Sequence, residues 1–196
     1  MNHILILSCL LIITALLSSC NDDGSYKPNS SGKTAEMIVV TLNDAGWDGP
    51  VGDTIRSFFS RQFDVLPQPE PLFEITNIPA ATFEETAMFQ SHHNVLIVDI
   101  DKNLKKTSLD VRNDEWASPQ TVIRLYAPTE ENFYAYLKES GNTILQLLMK
   151  SERERLQNTF RKFRDAEVID ELKNHFKLTM ELPSGFYIAK KTADFI

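Results

Sequence analysis

The side chains of this 196-residue chain that could carry chemistry are few and scattered. His92 and His93 are adjacent, and His3 and His175 stand far from them. Neighbouring residues at a strand edge point to opposite faces, so the pair is poorly placed to share one metal. A hydrolase needs a serine, a histidine and an acid brought together by the fold, and the sequence has no Gly-x-Ser-x-Gly elbow. Gly46-x-x-Gly49-x-x-Gly52 lies between an expected strand and an expected helix, where phosphate loops occur. Its spacing matches neither nucleotide fingerprint, no lysine follows, and Asp44, Asp48 and Asp53 would repel a phosphate. Asn43, Asp44, Asp48 and Asp53 could offer oxygens to calcium, as could Asp99-x-Asp101-x-Asn103 with Asp110. The second set has Leu104 where a calcium loop requires glycine, and solvated turn carboxylates are the simpler reading of both. Trp116 is flanked by Asp114, Glu115 and Pro119. Exposed, it would stack on a sugar or a partner; folding back onto the core is the favoured reading. His93, Asp48 and Trp116 are kept as candidate ligand or partner contacts. No catalytic residue, metal or cofactor is assigned.

The remaining reactive group is the thiol of Cys20. Ile4 to Leu17 is apolar except for Ser8, Cys9 and Thr14. The run is shorter than the roughly 20 residues that span a bilayer core. It fits the apolar region of a signal peptide, although only Met1, Asn2 and His3 precede it. The alternative is a buried N-terminal helix of the mature fold. Leu17-Ser18-Ser19-Cys20 resembles the lipobox of bacterial lipoproteins, which implies diacylglycerol on the cysteine sulfur and cleavage just before it. Residues 1–19 are therefore expected to be a signal peptide. Residues 20–33, rich in Asn, Ser, Gly and Asp, are expected to be a lipidated flexible tether, and 34–196 a single globular domain. Asp22-Asp23 reads equally as linker polarity or as a sorting signal, since acidic residues there resemble the surface-export signal of Bacteroidetes lipoproteins.

Composition narrows the partners. The chain is 42% hydrophobic and 24% charged, as a folded domain requires. Its net charge of −7 disfavours nucleic acid, whose binding rests on phosphate contacts. Once Cys9 leaves with the signal peptide and Cys20 carries lipid, no thiol remains for a disulfide or a metal. Stability then rests on the hydrophobic core.

The elements that must position these residues follow from periodicity. Strands are expected at Glu36–Leu42, Leu72–Ile78, Asn94–Ile100, Ser108–Val111 and Thr121–Tyr126. Pro50 opens a helix reaching Phe63, with Ile55, Phe58, Phe59 and Phe63 at helical spacing. Pro67, Pro69 and Pro71 make an extended connector, and Thr82–Gln90 a short helix. Thr129 caps a helix that Gly141-Asn142 is expected to split, and Asp165 caps another ending at His175. In the helix that Thr129 opens, the charges over Lys150–Arg164 have two readings, a basic membrane-facing surface or, preferred, a solvated face with near-neighbour ion pairs. Phe176–Leu182 and Gly185–Ala189 read as a hairpin. The order predicts an α+β fold: a mostly antiparallel sheet, helices packed on one face, and a ferredoxin-like arrangement open to the first three strands.

Four strings follow the lipobox: Pro67-x-Pro69-x-Pro71-Leu72-Phe73, His93-Asn94-Val95-Leu96-Ile97, Trp116-Ala117-Ser118-Pro119-Gln120 and Leu182-Pro183-x-Gly185-Phe186. In order and spacing they resemble a family of Bacteroidetes lipoproteins known only as a domain of unknown function. The resemblance implies an incomplete fragment, because members usually continue past residue 196. It implies no activity and no site. The expected function is a non-enzymatic binding or assembly role. The protein would be anchored through Cys20 to the outer membrane, facing the periplasm or the surface, with an envelope protein or polymer as partner. The alternative is an envelope hydrolase using His93 with an acid.

Overall fold

The computed structural model describes residues 26–63 and 67–192. The expected signal peptide over 1–19, Cys20 and Asp22-Asp23 therefore lie outside the described residues. Five strands form one sheet in the order β2-β1-β3-β5-β4. They are β1 Glu36–Thr41, β2 Glu74–Pro79, β3 Asn94–Ile100, β4 Ser108–Asn113 and β5 Thr121–Ala127. β1 runs parallel to β2 and to β3, and β3 runs parallel to β5. β4 is antiparallel, against β5.

The α+β class holds, but the sheet is mixed and mostly parallel. The ferredoxin-like arrangement is absent, since β1 pairs in parallel with both neighbours. The reason lies in the connections. The segments from β1 to β2 and from β2 to β3 both carry helices, and crossovers of a dozen residues or more permit parallel return. The nearly continuous apolar runs of β1 and β3 are the sequence mark of strands covered on both faces.

Helices cover both faces, not one. On one face α2 (Pro50–Phe59) and α5 (Glu130–Lys162) pack over Met37, Val39, Leu96, Val98, Ile123 and Leu125. Fully buried side chains there, such as Phe59, Phe133, Leu137 and Leu148, each contribute about 1.5–3 kcal/mol. On the other face α3 (Ala80–Glu85), α4 (Ala87–Gln90) and Trp116 cover Ile38, Val40, Val95 and Val122. A five-residue helix, α1 (Asp44–Asp48), stands where a loop was expected, capped by Asn43 Oδ1, which accepts from the Gly46 amide at 3.0 Å.

α5 is one helix, not two. Gly141 is buried in it, and a Cβ there would lie 2.7 Å from the Phe58 ring. The apolar stripe on both sides of Gly141 outweighs its propensity cost of about 1 kcal/mol. Thr129 and Asp165 cap α5 and α6 (Ala166–Phe176) as expected. The expected hairpin over 176–189 does not form; this stretch is irregular, turning at Gly185 with φ +99°.

Residues 27–33, expected in the tether, run along the domain. The Ser30 and Ser31 amides donate to the carbonyls of Ser118 and Ser91 at 3.0 and 2.9 Å. The His93 and Ser118 amides donate to Ser31 and Pro28 at 2.9 Å each. Gly32 is required there: its φ is +110°, and a Cβ would sit 2.3 Å from His92 Nε2.

Candidate functional site

From β1 the chain moves outward to β2, then crosses back to β3 on the other side of β1. Such a reversal leaves a crevice outside the carboxyl ends of the strands, where open α/β sheets bind ligands. Two cavities lie there, one on each face. The first, about 340 Å³, is lined by Asn43, Gly46, Val51, Ile100 and Glu130. The second, about 360 Å³, is lined by Phe83, Gln90, Asp99, Trp116, Arg124 and Tyr126. They share Thr41, Leu42 and Val98. Leu42 stands between them with 75% of its surface exposed.

Alternation along the strands places these side chains. Ile97, Arg124 and Tyr126 point to the thinly covered face, while Val98 and Ile100 point toward α2 and α5. The rim carries Glu84, Asp99 and Glu130. Tyr134 Oη donates to Glu130 at 2.8 Å, and burial with that bond pushes the phenol up to about 12. Arg124 does not offset the rim, because its guanidinium is held bidentate by Glu115 at 2.6 and 2.7 Å, which raises its pKa. The Thr41 hydroxyl donates to the Asn43 carbonyl at 3.1 Å and accepts from Asn77 at 2.9 Å. No histidine lines either cavity. Apolar walls with a carboxylate rim can hold a ligand.

The three candidate contacts do not converge. Trp116 lies in the second cavity, half-buried, edge-on to Phe83 at 5.4 Å, with the Arg124 guanidinium 5.3 Å from its ring centre. It is thus both folded onto the core and part of the crevice wall. Gln120 fixes its loop by accepting from the Trp116 amide at 2.9 Å and donating to the carbonyls of Gln90 and His92 at 2.5 and 2.7 Å. Asp48 is exposed at the end of α1, outside both linings.

His93 lies at the opposite end of the sheet. It is buried, and its Nε2 donates to the Lys33 carbonyl at 2.7 Å. The rings of His92 and His93 do not diverge; their centres are 4.9 Å apart. Both precede β3, so strand alternation does not govern them. Beside them Arg155 donates to Asn94 Oδ1 at 2.6 Å and to Glu152 at 2.7 Å, and Asn94 Nδ2 donates to Glu152 at 2.5 Å. Within the glycine triplet Gly52 has a packing role: it lies against the Trp47 carbonyl, which lets α1 and α2 meet closely. Asp53 pairs with Arg56 at 2.6 Å, and Asp101 accepts from the Asn103 amide at 2.8 Å. Among the described residues no group of three or more His, Cys, Asp or Glu could hold a metal ion. Sequence reasoning missed Leu42, whose signal was only its place at the end of an apolar run, and the Asn94–Glu152–Arg155 cluster, which had none.

The cluster should make the protein acid-labile. Burial depresses the His93 pKa below its ordinary 6.5, Arg155 adds to this, and Glu152 opposes it. The unfolded chain then takes up the proton first, so this contribution is complete above pH 6.5 and falls as pH drops through that value. Burial works against the Glu152 charge, yet Asn94 and Arg155 hold its carboxyl below the ordinary 4.5, and that contribution is lost at more acid pH. We expect a melting temperature that declines in two stages below pH 7. In His93→Gln the first stage should vanish and the second remain; an unchanged profile would refute this assignment.

The chain forms an α+β domain whose mixed, mostly parallel sheet carries a crevice at its topological switch. The family described as Domain of unknown function (DUF8532) matches residues 30–161, and the chain belongs to that family. No curated protein and no solved structure matches the chain.

Proposed function

We propose that this protein is a cell-envelope lipoprotein of the Bacteroidetes type, anchored to the outer membrane by lipid on Cys20. In this reading it binds an envelope protein or polymer, without catalysis, through the crevice around Leu42. The observation that carries the binding role is the large apolar side chain of Leu42, left 75% exposed between two cavities at the switch point. The position of His93 favours binding over hydrolysis: it is buried against the Lys33 carbonyl at the far end of the sheet. Support for the anchor is the lipobox-like Leu17–Cys20 string.

A fragment screen read by methyl NMR tests the binding role. Hits should shift the Leu42, Val51, Val98 and Ile100 methyls, and Leu42→Asp should abolish those shifts while altering stability by no more than about 0.5 kcal/mol. Hits that map elsewhere, or survive Leu42→Asp, would sink the reading. Mass spectrometry of the membrane fraction tests the anchor: lipid mass on an N-terminal Cys20 is expected, and an intact Met1 terminus would refute it.

A further inference from the structure

The two ends of the sheet expose different chemistry. Beyond the carboxyl ends of the strands lies the crevice with its acidic rim. Beyond the amino ends lie residues 26–33 and the last turns of α5. α5 passes the sheet edge where Ser151 meets Thr121 and Arg155 meets Asn94. It then runs to Lys162, roughly 10 Å further. Its end carries α6 and the segment after it: the Asp165 amide donates to the Leu182 carbonyl at 3.0 Å, and the Ser184 amide to that of Phe163 at 2.6 Å.

This appendage is apolar and basic. Leu156, Phe163, Leu178, Met180, Phe186 and Tyr187 make up six of the eleven exposed large apolar side chains among the described residues. Residues 151–192 carry nine Lys and Arg against seven Asp and Glu; the rest of the chain carries eleven against twenty. The family match stops at residue 161, so most of the appendage lies outside the shared domain. The chain toward Cys20 leaves from the same end, because Lys27 Nζ donates to the Asp114 carbonyl and Pro28 to Ser31 are bonded to the domain. Five residues lie between Cys20 and Tyr26, and the six Cα-to-Cα steps span at most about 20 Å.

We propose that the appendage, with Tyr26 and Lys27, is a bilayer-facing surface that rests on anionic phospholipid and turns the crevice away from the membrane. The proposal builds on lipid attachment at Cys20. Aromatic and long apolar side chains settle at the headgroup boundary, and Lys and Arg are drawn to anionic lipid. The acidic crevice end is repelled by the same surface, so the charge asymmetry fixes the orientation that the short link allows.

The test uses the full lipidated protein on phosphatidylethanolamine–phosphatidylglycerol vesicles. With Cys20 acylated, a cysteine introduced by Tyr187→Cys or Leu42→Cys is the thiol that takes a nitroxide label. Collisions of the Tyr187→Cys label with a water-soluble nickel chelate should be lost on the membrane, while those at Leu42→Cys persist. Unchanged collisions at Tyr187→Cys, with lipid mass confirmed on Cys20, would overturn the orientation and leave the anchor standing. Absence of lipid mass would overturn both. Protection at Tyr187→Cys in vesicle-free protein carrying Cys20→Ser would show that another protein surface covers the site, and would also overturn the proposal.

Discussion

Replacing Arg155 by methionine should lower the unfolding free energy by about 3–5 kcal/mol, the cost of leaving a buried charge without its partner. The Arg155 and Glu152 side chains are only 13% and 12% exposed. Arg155 bonds both Glu152 and Asn94, and it fastens α5 to the first residue of β3. Without it the Glu152 carboxylate keeps one amide from Asn94 and faces His93 Nε2 at 3.6 Å. The loss should shrink on acidification. Burial and, after it, Arg155 depress the His93 pKa while Glu152 raises it, so removing Arg155 eases protonation of His93 beside Glu152. Urea unfolding at pH 7 and pH 6 measures both effects. Arg155→Met with Glu152→Met should recover much of the loss, because replacing both members of a buried pair by apolar groups is often near neutral. A single-variant loss under about 1 kcal/mol would mean that solvent screens the pair as at a surface.

Gly52→Ala should cost about 3 kcal/mol, the upper part of the range for overpacking. Its Cβ would lie 1.8 Å from the Trp47 carbonyl oxygen, and the obstacle is backbone, which cannot turn aside. α1 must then lift from α2, carrying Ala45 and Gly46 with it, and both line the first cavity. The fragment-induced shifts at Val51 should weaken together with stability. Gly46→Ala is the control: its nearest atoms would be 3.8 and 4.0 Å away, an ordinary contact. It should be neutral or slightly stabilising, since glycine inside a helix is unfavourable. Equal melting temperatures for the two variants would refute the close-approach account.

Local signals carried much of the element pattern. Asn94–Ile100 was legible to the residue as a continuous apolar run, and Thr129 and Asp165 as caps, because caps and buried strands depend on nearest neighbours. Gly141 misled for the same reason: a local break signal was overridden by Phe58 from another helix. Of the candidate contacts, Trp116 belongs to the crevice, and His93 and Asp48 do not. Residues far apart in sequence, such as Leu42, Asp99 and Trp116, meet through strand order, which no local pattern encodes.

What the sequence determined by itself is the α+β class, most helix and strand positions, the acidic charge, and the expectation of lipid on Cys20, since each depends on composition or on residues close along the chain. The tertiary structure alone decided that β1 pairs in parallel with β2 and β3, that helices cover both faces, that residues 27–33 are bonded to the domain, and that the crevice and the His93 cluster lie at opposite ends. Those outcomes rest on which strands find each other across long connections. That choice is settled by the burial of both sheet faces at once and by no stretch of sequence taken singly.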